Sequence, residues 1–265
     1  MTLEYDGSEF HGWQEQEGQR TVQGRLQEAL SLVCGKTIKV SGTSRTDTGV
    51  HALAQCCSFK ADIGIPTDRI VRATNNMLAG GRTGAGSKIG AIKLLSATEK
   101  ALDFHARFDC KGKKYIYRIN DGETNVFLRN YRYFVDKKLD VEAMDRACKH
   151  LIGKHDFAAF QAAGGNLRQT TVRTLSAARV FRSAADISDS PVSSEIQFEI
   201  CGDGFLYNMV RIISGTLVEI GLGRREPNEI KQIISSKNRQ CAGHTAPPGG
   251  LYLAEIYFND LYKQE

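Results

Sequence analysis

Residues 21–42 read TVQGRLQEALSLVCGKTIKVSG. Val22, Leu26, Ala29, Leu30 and Val33 recur at helical spacing on one face, Thr21 stands where an N-cap hydroxyl belongs, and Gly35 stands where such a helix stops. The alternation Ile38-Lys39-Val40-Ser41 that follows has the period of a strand. Outward from this helix–strand seed the same grammar continues. A short apolar run at 56–59 reads as a second strand, and Pro66 and Thr67 open a second helix through Ile70, Ala73, Met77 and Leu78. Residues 80–88, GGRTGAGSK, form a glycine-rich connection into a strand at 89–95.

Beyond residue 100 the pattern recurs. Residues 113–120, KKYIYRIN, alternate polar and apolar, and 131–135 reads as their antiparallel partner. A helix from Asp140 carries Val141, Met144, Ala147, Cys148 and Leu151 on one face. Strands at 177–182 and 195–201, a long helix at 207–221, a short one at 227–235 and a last strand at 251–258 complete the chain. The order strand, helix, strand, strand, helix, strand thus runs once in each half, without visible sequence similarity between them. This predicts an α+β fold of two pseudo-repeated ferredoxin-like (RRM-like) units with a mixed, mostly antiparallel central sheet. The break falls near 97–112, giving an N-terminal half 1–104 and a C-terminal half 105–265. No Pro- or Ser-rich linker marks it, so the halves are expected to pack as one body.

The composition is that of a globular chain long enough to bury a sizeable core, with 265 residues, 41% of them hydrophobic and 25% charged. Thirty-five Lys and Arg against 30 Asp and Glu leave a net charge of +5, compatible with a polyanionic partner but shared by many ordinary enzymes. Seven cysteines without a C-x-x-C pair read as reduced, mostly buried thiols, and six scattered histidines show no metal spacing. The first residues lack a basic and apolar leader, and no apolar run reaches the length of a membrane span, so a cytoplasmic protein is expected.

The stretch 42–52, GTSRTDTGVHA, packs small residues, a cation, a carboxylate and a histidine into one loop. Gly42 and Gly49 permit close backbone approach to a ligand, and the hydroxyls of Thr43, Ser44, Thr46 and Thr48 supply hydrogen bonds. Two readings of Asp47 are open on these residues alone: a reactive carboxylate, or a turn residue that caps a following helix or bonds its own backbone. Gly81 and Gly86 have the separation of a phosphate loop, but Ser87-Lys88 reverses the required order and a strand follows, so ATP binding is rejected.

Arg45-Thr46-Asp47, followed by Gly49-Val50-His51, resembles the nucleophile motif of the bacterial tRNA pseudouridine synthase family usually called TruA. Further segments resemble family landmarks in the same order: Leu3-Glu4-Tyr5-Asp6-Gly7 with Gly12-Trp13-Gln14, Thr21-Val22-Gln23, Phe104-His105-Ala106-Arg107-Phe108 and Lys114-Tyr115-Ile116-Tyr117. His155-Asp156-Phe157 is similar to the family's following loop, Met209-Val210-Arg211 to its arginine helix, and Gly250-Leu251-Tyr252-Leu253 to its closing strand. The resemblance implies a pseudouridine synthase fold and an isomerase that converts uridine to pseudouridine in the tRNA anticodon arm, at positions 38, 39 and 40. It implies Asp47 as nucleophile, attacking the ribose or the uracil ring so that the base detaches, turns and rejoins through carbon.

By the same resemblance Arg211 is the cation that keeps Asp47 ionised, Tyr115 meets the target ring, and Leu251 packs beneath the base. Tyr117 shares the strand face of Tyr115 by the period of two, so choosing the first tyrosine rests on the family pattern. Arg45 either enters the gap left by the flipped base or contacts phosphate. Arg20 and Arg107 are candidate phosphate contacts, and His51 and His105 are read as packing or hydrogen-bonding residues around the site. Substrate and product are isomers, so no redox cofactor is expected; the resemblance implies that no metal is needed, and it implies a homodimer. The chain departs from the family at Thr43-Ser44, where Ala-Gly is usual, at Thr48, where Ala is usual, and in its glycine-rich 80–88 stretch. Two other classes remain open on the residues: a noncatalytic RNA-binding module, and a nucleoside hydrolase that cleaves the same bond without rejoining it.

Overall fold

A computed structural model describes residues 1–80, 90–164, 170–183 and 195–264. The glycine-rich stretch from Gly81 to Lys88, with its rejected phosphate loop, lies outside them. By internal contacts the chain divides into Met1–Cys110 with Tyr252–Phe258, and Lys111–Leu251 with Asn259–Glu265.

The first unit contains β1 (Thr2–Tyr5), α1 (Val22–Cys34), β2 (Ser41–Gly42), β3 (His51–Ser58), α2 (Thr67–Leu78) and β4 (Ile92–Ser96). α1 is bounded as its sequence implies: the Thr21 hydroxyl accepts from Gly24 N, and Gly35 closes the helix at φ 66°. Leu26 and Leu30 are fully buried on its inner face. In the sheet β4 lies beside β1 and β1 beside β3, both antiparallel, and β2 pairs with the far end of β3. Because β3 separates β1 from β2 while α1 connects them, this is a split βαβ unit. The strand β10 (Leu251–Tyr257) adds to the near end of β3 in parallel, Tyr252 opposite His51. Asn75 of α2 clamps β4 through both Leu94 backbone groups, at 2.7 and 2.9 Å.

The strand expected at 38–41 is reduced to Ser41–Gly42. Its backbone groups are taken by α1 instead of a neighbouring strand: Val40 N donates to Gln27 Oε1, Val40 O accepts from Gln23 Nε2, and Ile38 N donates to Ser31 Oγ. Gln23 and Gln27 are buried, so this exchange also satisfies two amides that water does not reach.

The second unit contains β5 (Gly112–Asn120), β6 (Tyr133–Phe134), α3 (Val141–Cys148), β7 (Gly153–Asp156), β8 (Val172–Arg182), β9 (Glu195–Gly202), α4 (Met209–Gly221) and α5 (Glu229–Ser236). Its strands run β5, β9, β8, β7, all antiparallel, and β9 lies between β5 and β8 just as β3 lies between β1 and β2. Each unit thus holds a mostly antiparallel sheet with one parallel pair, the α+β class that the element order predicts.

One pairing differs: β6 is parallel to β5, Ile119 opposite Tyr133, and the antiparallel partner of β5 is β9. A tight hairpin would have produced the antiparallel pair, but residues 121–132 intervene, long enough for a crossover. β7, which carries His155 and Asp156, is a strand where the resemblance implied a loop. The long helix starts at Met209 because Asn208 stands at φ 58°, outside helical geometry. All seven cysteines are free thiols, but only Cys57, Cys148 and Cys201 are buried, so the expectation of mostly buried thiols holds for three. Burial pushes the Cys57 thiol up to about 12. No helix among the described residues is long and apolar enough to cross a membrane.

Residues 242–247 run along α4 as a strap. Gly243 N donates to Thr216 Oγ1 at 2.9 Å, and His244 N to Glu219 Oε1 at 3.1 Å. A side chain at Gly215 would meet His244 O at 2.0 Å, so the strap lies directly against the helix. Burial raises the Glu219 carboxyl, but hydrogen bonds from Arg225 and His244 outweigh it and leave it below the usual 4.5. A carboxyl lowered by folding stabilises fully above its unfolded value, and that contribution is lost as pH falls through the folded value. Glu219→Gln is therefore expected to flatten the acid limb of stability below pH 4.5; urea midpoints measured against pH will show it, and an unchanged acid limb would contradict the assignment.

A second expectation concerns Gly42, where an added Cβ would lie 2.4 Å from the Trp13 indole. Gly42→Ala is expected to cost about 1–3 kcal/mol through overpacking. Gly64→Ala, which meets nothing within 4 Å, is expected to stay within about 0.5 kcal/mol. Equal urea midpoints for the two variants would contradict the packing argument.

Candidate active site

In the first unit the Asp47 loop is held from three directions by segments far apart in sequence. From the N-terminal side, Trp13 N donates to Thr46 O at 3.0 Å, and the Tyr5 hydroxyl meets Thr46 Oγ1 at 2.7 Å. Gly12 approaches so closely, at φ 80°, that a Cβ there would lie 2.6 Å from Thr46 O. From β3, the fully buried Gln55 accepts from Ser44 N at 3.3 Å and donates to Ser44 O at 2.7 Å, fixing the peptides on either side of Ser44. From the 104–108 segment, Ala106 O accepts from Thr43 Oγ1 at 3.2 Å.

The loop closes in a turn in which Val50 N donates to Asp47 O at 3.1 Å, with Gly49 at φ 77°. A strand follows, so Asp47 caps no helix. Thr43, Ser44 and Thr46 are buried, Asp47 is half-buried, and Arg45 and Thr48 are exposed. The buried hydroxyls serve as struts, leaving the carboxylate and the guanidinium of Arg45 as the charged groups of the loop. His51 is buried behind it, its Nδ1 3.0 Å from Gly7 N and 3.3 Å from Asp6 Oδ1, and its ring stacks on Tyr252 at 4.7 Å. A nitrogen that accepts from an amide cannot also donate to a carboxylate. The shorter contact marks Nδ1 as the acceptor, in keeping with a packing role.

In the second unit Tyr115 and Tyr117 lie on the same side of β5, opposite Ile200 and Phe198 of β9. The structure separates the two tyrosines that periodicity leaves equivalent. Tyr117 is fully buried and its hydroxyl donates to Pro247 O at 2.7 Å. Burial pushes this phenol well above 10, partly offset by Arg211. Tyr115 retains 6% exposure and meets the edge of Phe205 at 5.0 Å.

Arg211 sits in the first turn of α4, half-buried, where the positive end of the helix dipole opposes a cation. Its Nε donates to Ala246 O at 2.8 Å and its Nη1 to Asn208 Oδ1 at 2.7 Å, while its own carbonyl accepts from Ala246 N. The strap thus grips both backbone and side chain of this residue and continues through Pro247 to Tyr117. Leu251 is buried at the start of β10, next to Gly250, where a Cβ would meet the Tyr117 ring at 2.8 Å.

Arg20 is exposed, pairs with Glu9 at 2.8 Å and lies over the Phe10 ring; Arg107 is exposed beside Phe108. Among the described residues no group of three or more His, Cys, Asp or Glu is placed to hold a metal. The supporting residues Tyr5, Trp13, Gln55 and Ala246 escape a reading of local pattern, because each acts through a partner well beyond its own turn or strand neighbours. Trp13, the only tryptophan, was legible only as part of a motif.

A family model described as tRNA pseudouridine synthase matches residues 1–109 and 147–259. The tRNA pseudouridine synthase A of Acetivibrio thermocellus is 43% identical over 259 residues, covering 97% of this chain and 98% of that protein. The tRNA pseudouridine synthase A of Lacticaseibacillus casei is 44% identical over 260 residues, with 97% and 98% covered. A protein of Clostridium tetani named tRNA pseudouridine synthase A 2 is 42% identical over 262 residues, with 98% of each chain covered. Matched along nearly its whole length by these relatives, the chain belongs to the tRNA pseudouridine synthase family.

Proposed function

We propose that this isomerase acts on uridines of the tRNA anticodon arm, at positions 38, 39 and 40, with Asp47 as its nucleophile. The observation that carries the reading is the investment of buried structure in the Asp47 loop. Trp13 and Gln55 fix the loop backbone and Tyr5 the Thr46 hydroxyl, although Arg45 on the same loop is exposed. Such preorganisation suits a reacting group and is not needed for an ordinary polar turn.

In this reading the carboxylate of Asp47 attacks the ribose or the uracil ring, and the N1–C1′ bond breaks. The base turns, C5 takes the place of N1 on C1′, and the bond to Asp47 breaks to return the free carboxylate. C5 loses a proton and N1 gains one, so the reaction is balanced without an oxidant or reductant. Tyr115 stacks on the ring and serves the C5 proton transfer. Arg211 supports the ionised carboxylate, the role for which a cation is kept at an unfavourable helix end. Leu251 packs beneath the base, Arg45 stabilises the flipped-out state, and Arg20 and Arg107 hold phosphates. The enzyme works as a homodimer in the cytoplasm.

Asp47→Asn is expected to lower release of C5 tritium from labelled tRNA by at least about a thousandfold, with tRNA affinity retained. A wild-type rate would remove Asp47 as nucleophile, and free uracil among the products would indicate hydrolysis instead of isomerisation. Tyr115→Phe keeps the ring and removes the hydroxyl, so kcat is expected to fall about 10²–10⁴-fold with KM little changed. A rise in KM alone would reduce Tyr115 to a stacking residue. Mapping pseudouridine in tRNA from cells lacking the protein tests the positions, and a loss confined to another arm would overturn them.

A further inference from the structure

Residues 104–109 form a tight turn on the first unit. His105 N donates to Asp109 Oδ2 at 2.7 Å, Phe108 N and Asp109 N both donate to His105 O, and Arg107 N donates to His105 Nδ1 at 3.1 Å. The turn is anchored at the buried Ala106, whose N donates to Ser58 Oγ at 3.1 Å and whose O accepts from Thr43 of the Asp47 loop.

A turn so fully bonded holds its side chains in place, yet Phe108 is 73% exposed. Its ring lies 4.3 Å from that of His105, tilted by 32°, and the Arg107 guanidinium is 5.9 Å from its centroid. On the same segment Phe104 packs on Phe258 at 5.3 Å, with the Lys100 ammonium 5.9 Å from its ring. Exposed aromatic faces interleaved with cations are the composition of a single-strand nucleic-acid platform: the ring takes a base face and the cation the neighbouring phosphate. An apolar protein partner accounts for Phe108 but not for the flanking Lys100 and Arg107.

We propose that Phe108, backed by His105, is a stacking platform for an unpaired nucleobase of the substrate tRNA, with Arg107 on the adjoining phosphate. This rests on tRNA being the substrate and is independent of which residue is the nucleophile. The hydrogen bond from Thr43 to Ala106 ties the platform to the Asp47 loop.

The test uses full-length protein and an unmodified tRNA transcript. Phe108→Ala and Phe108→Leu are both expected to weaken tRNA binding and raise KM roughly tenfold, with kcat little changed, whereas Phe108→Trp stays within about threefold of wild type. Leucine keeps the apolar bulk without the π face, so wild-type affinity in Phe108→Leu overturns stacking. Stacking involves no counterion, so the slope of log K against log salt is expected to be unchanged in Phe108→Ala and reduced by about 0.7–0.9 in Arg107→Gln. Because Phe108 is exposed, urea midpoints of its variants are expected to match wild type. A change in oligomeric state with tRNA affinity intact would identify a protein-docking surface and overturn the proposal. The Asp47 reading fails by a different result, a wild-type rate in Asp47→Asn, which leaves the Phe108 binding data interpretable.

Discussion

The buried packing of Trp13 over Gly42 is the constraint on which the Asp47 loop depends. Trp13 is 1% exposed, and its indole occupies the space that any side chain at 42 would need. Its backbone reaches both ways: Trp13 N donates to Thr46 O, and Trp13 O accepts from Gln23 N in the first turn of α1. Gly12 O accepts from Val22 N in the same manner. A two-residue segment therefore couples the start of a helix to the carboxylate loop, with the largest apolar side chain in the chain burying the joint. Displacing the ring would loosen the helix entry and the loop together.

The second unit solves a different problem, that of holding a cation where the helix dipole disfavours it. Arg211 is bonded by Asn208 Oδ1 and Ala246 O, and the strap that supplies Ala246 is itself fastened to Thr216 and Glu219 along α4. Its next residue, Pro247, accepts from Tyr117. Buried polar groups of this kind are costly unless fully bonded, and here each bond also fixes direction. Tyr117 serves this scaffold with its hydroxyl, which is the physical reason the two tyrosines of one strand face are not interchangeable.

Much of the fold was legible in the residues. The Thr21 cap, the Gly35 stop, the 3.6 period of α1 and α3 and the alternation in β5 follow from local steric and solvation rules, and each forms as those rules require. The loop containing Asp47 was also legible, as an unusual concentration of small and charged groups. Its chemical role was not, since an aspartate in a polar turn is ordinary until its surroundings are known.

What tertiary structure alone decided is where each backbone group finds its partner. Val40 has strand periodicity, yet buried glutamines of α1 take its amide and carbonyl, and the strand begins only at Ser41. Residues 131–135 read as the antiparallel partner of β5, yet the crossover length before β6 makes its pairing parallel. The last strand comes from the far end of the chain to pair with β3. Sequence by itself determined the elements and the small, charged character of the Asp47 loop, because propensity and period act over a few residues. Partner choice, the bonding of Tyr117 to Pro247, and the exposure of Phe108 depend on contacts across many residues, which no local pattern contains.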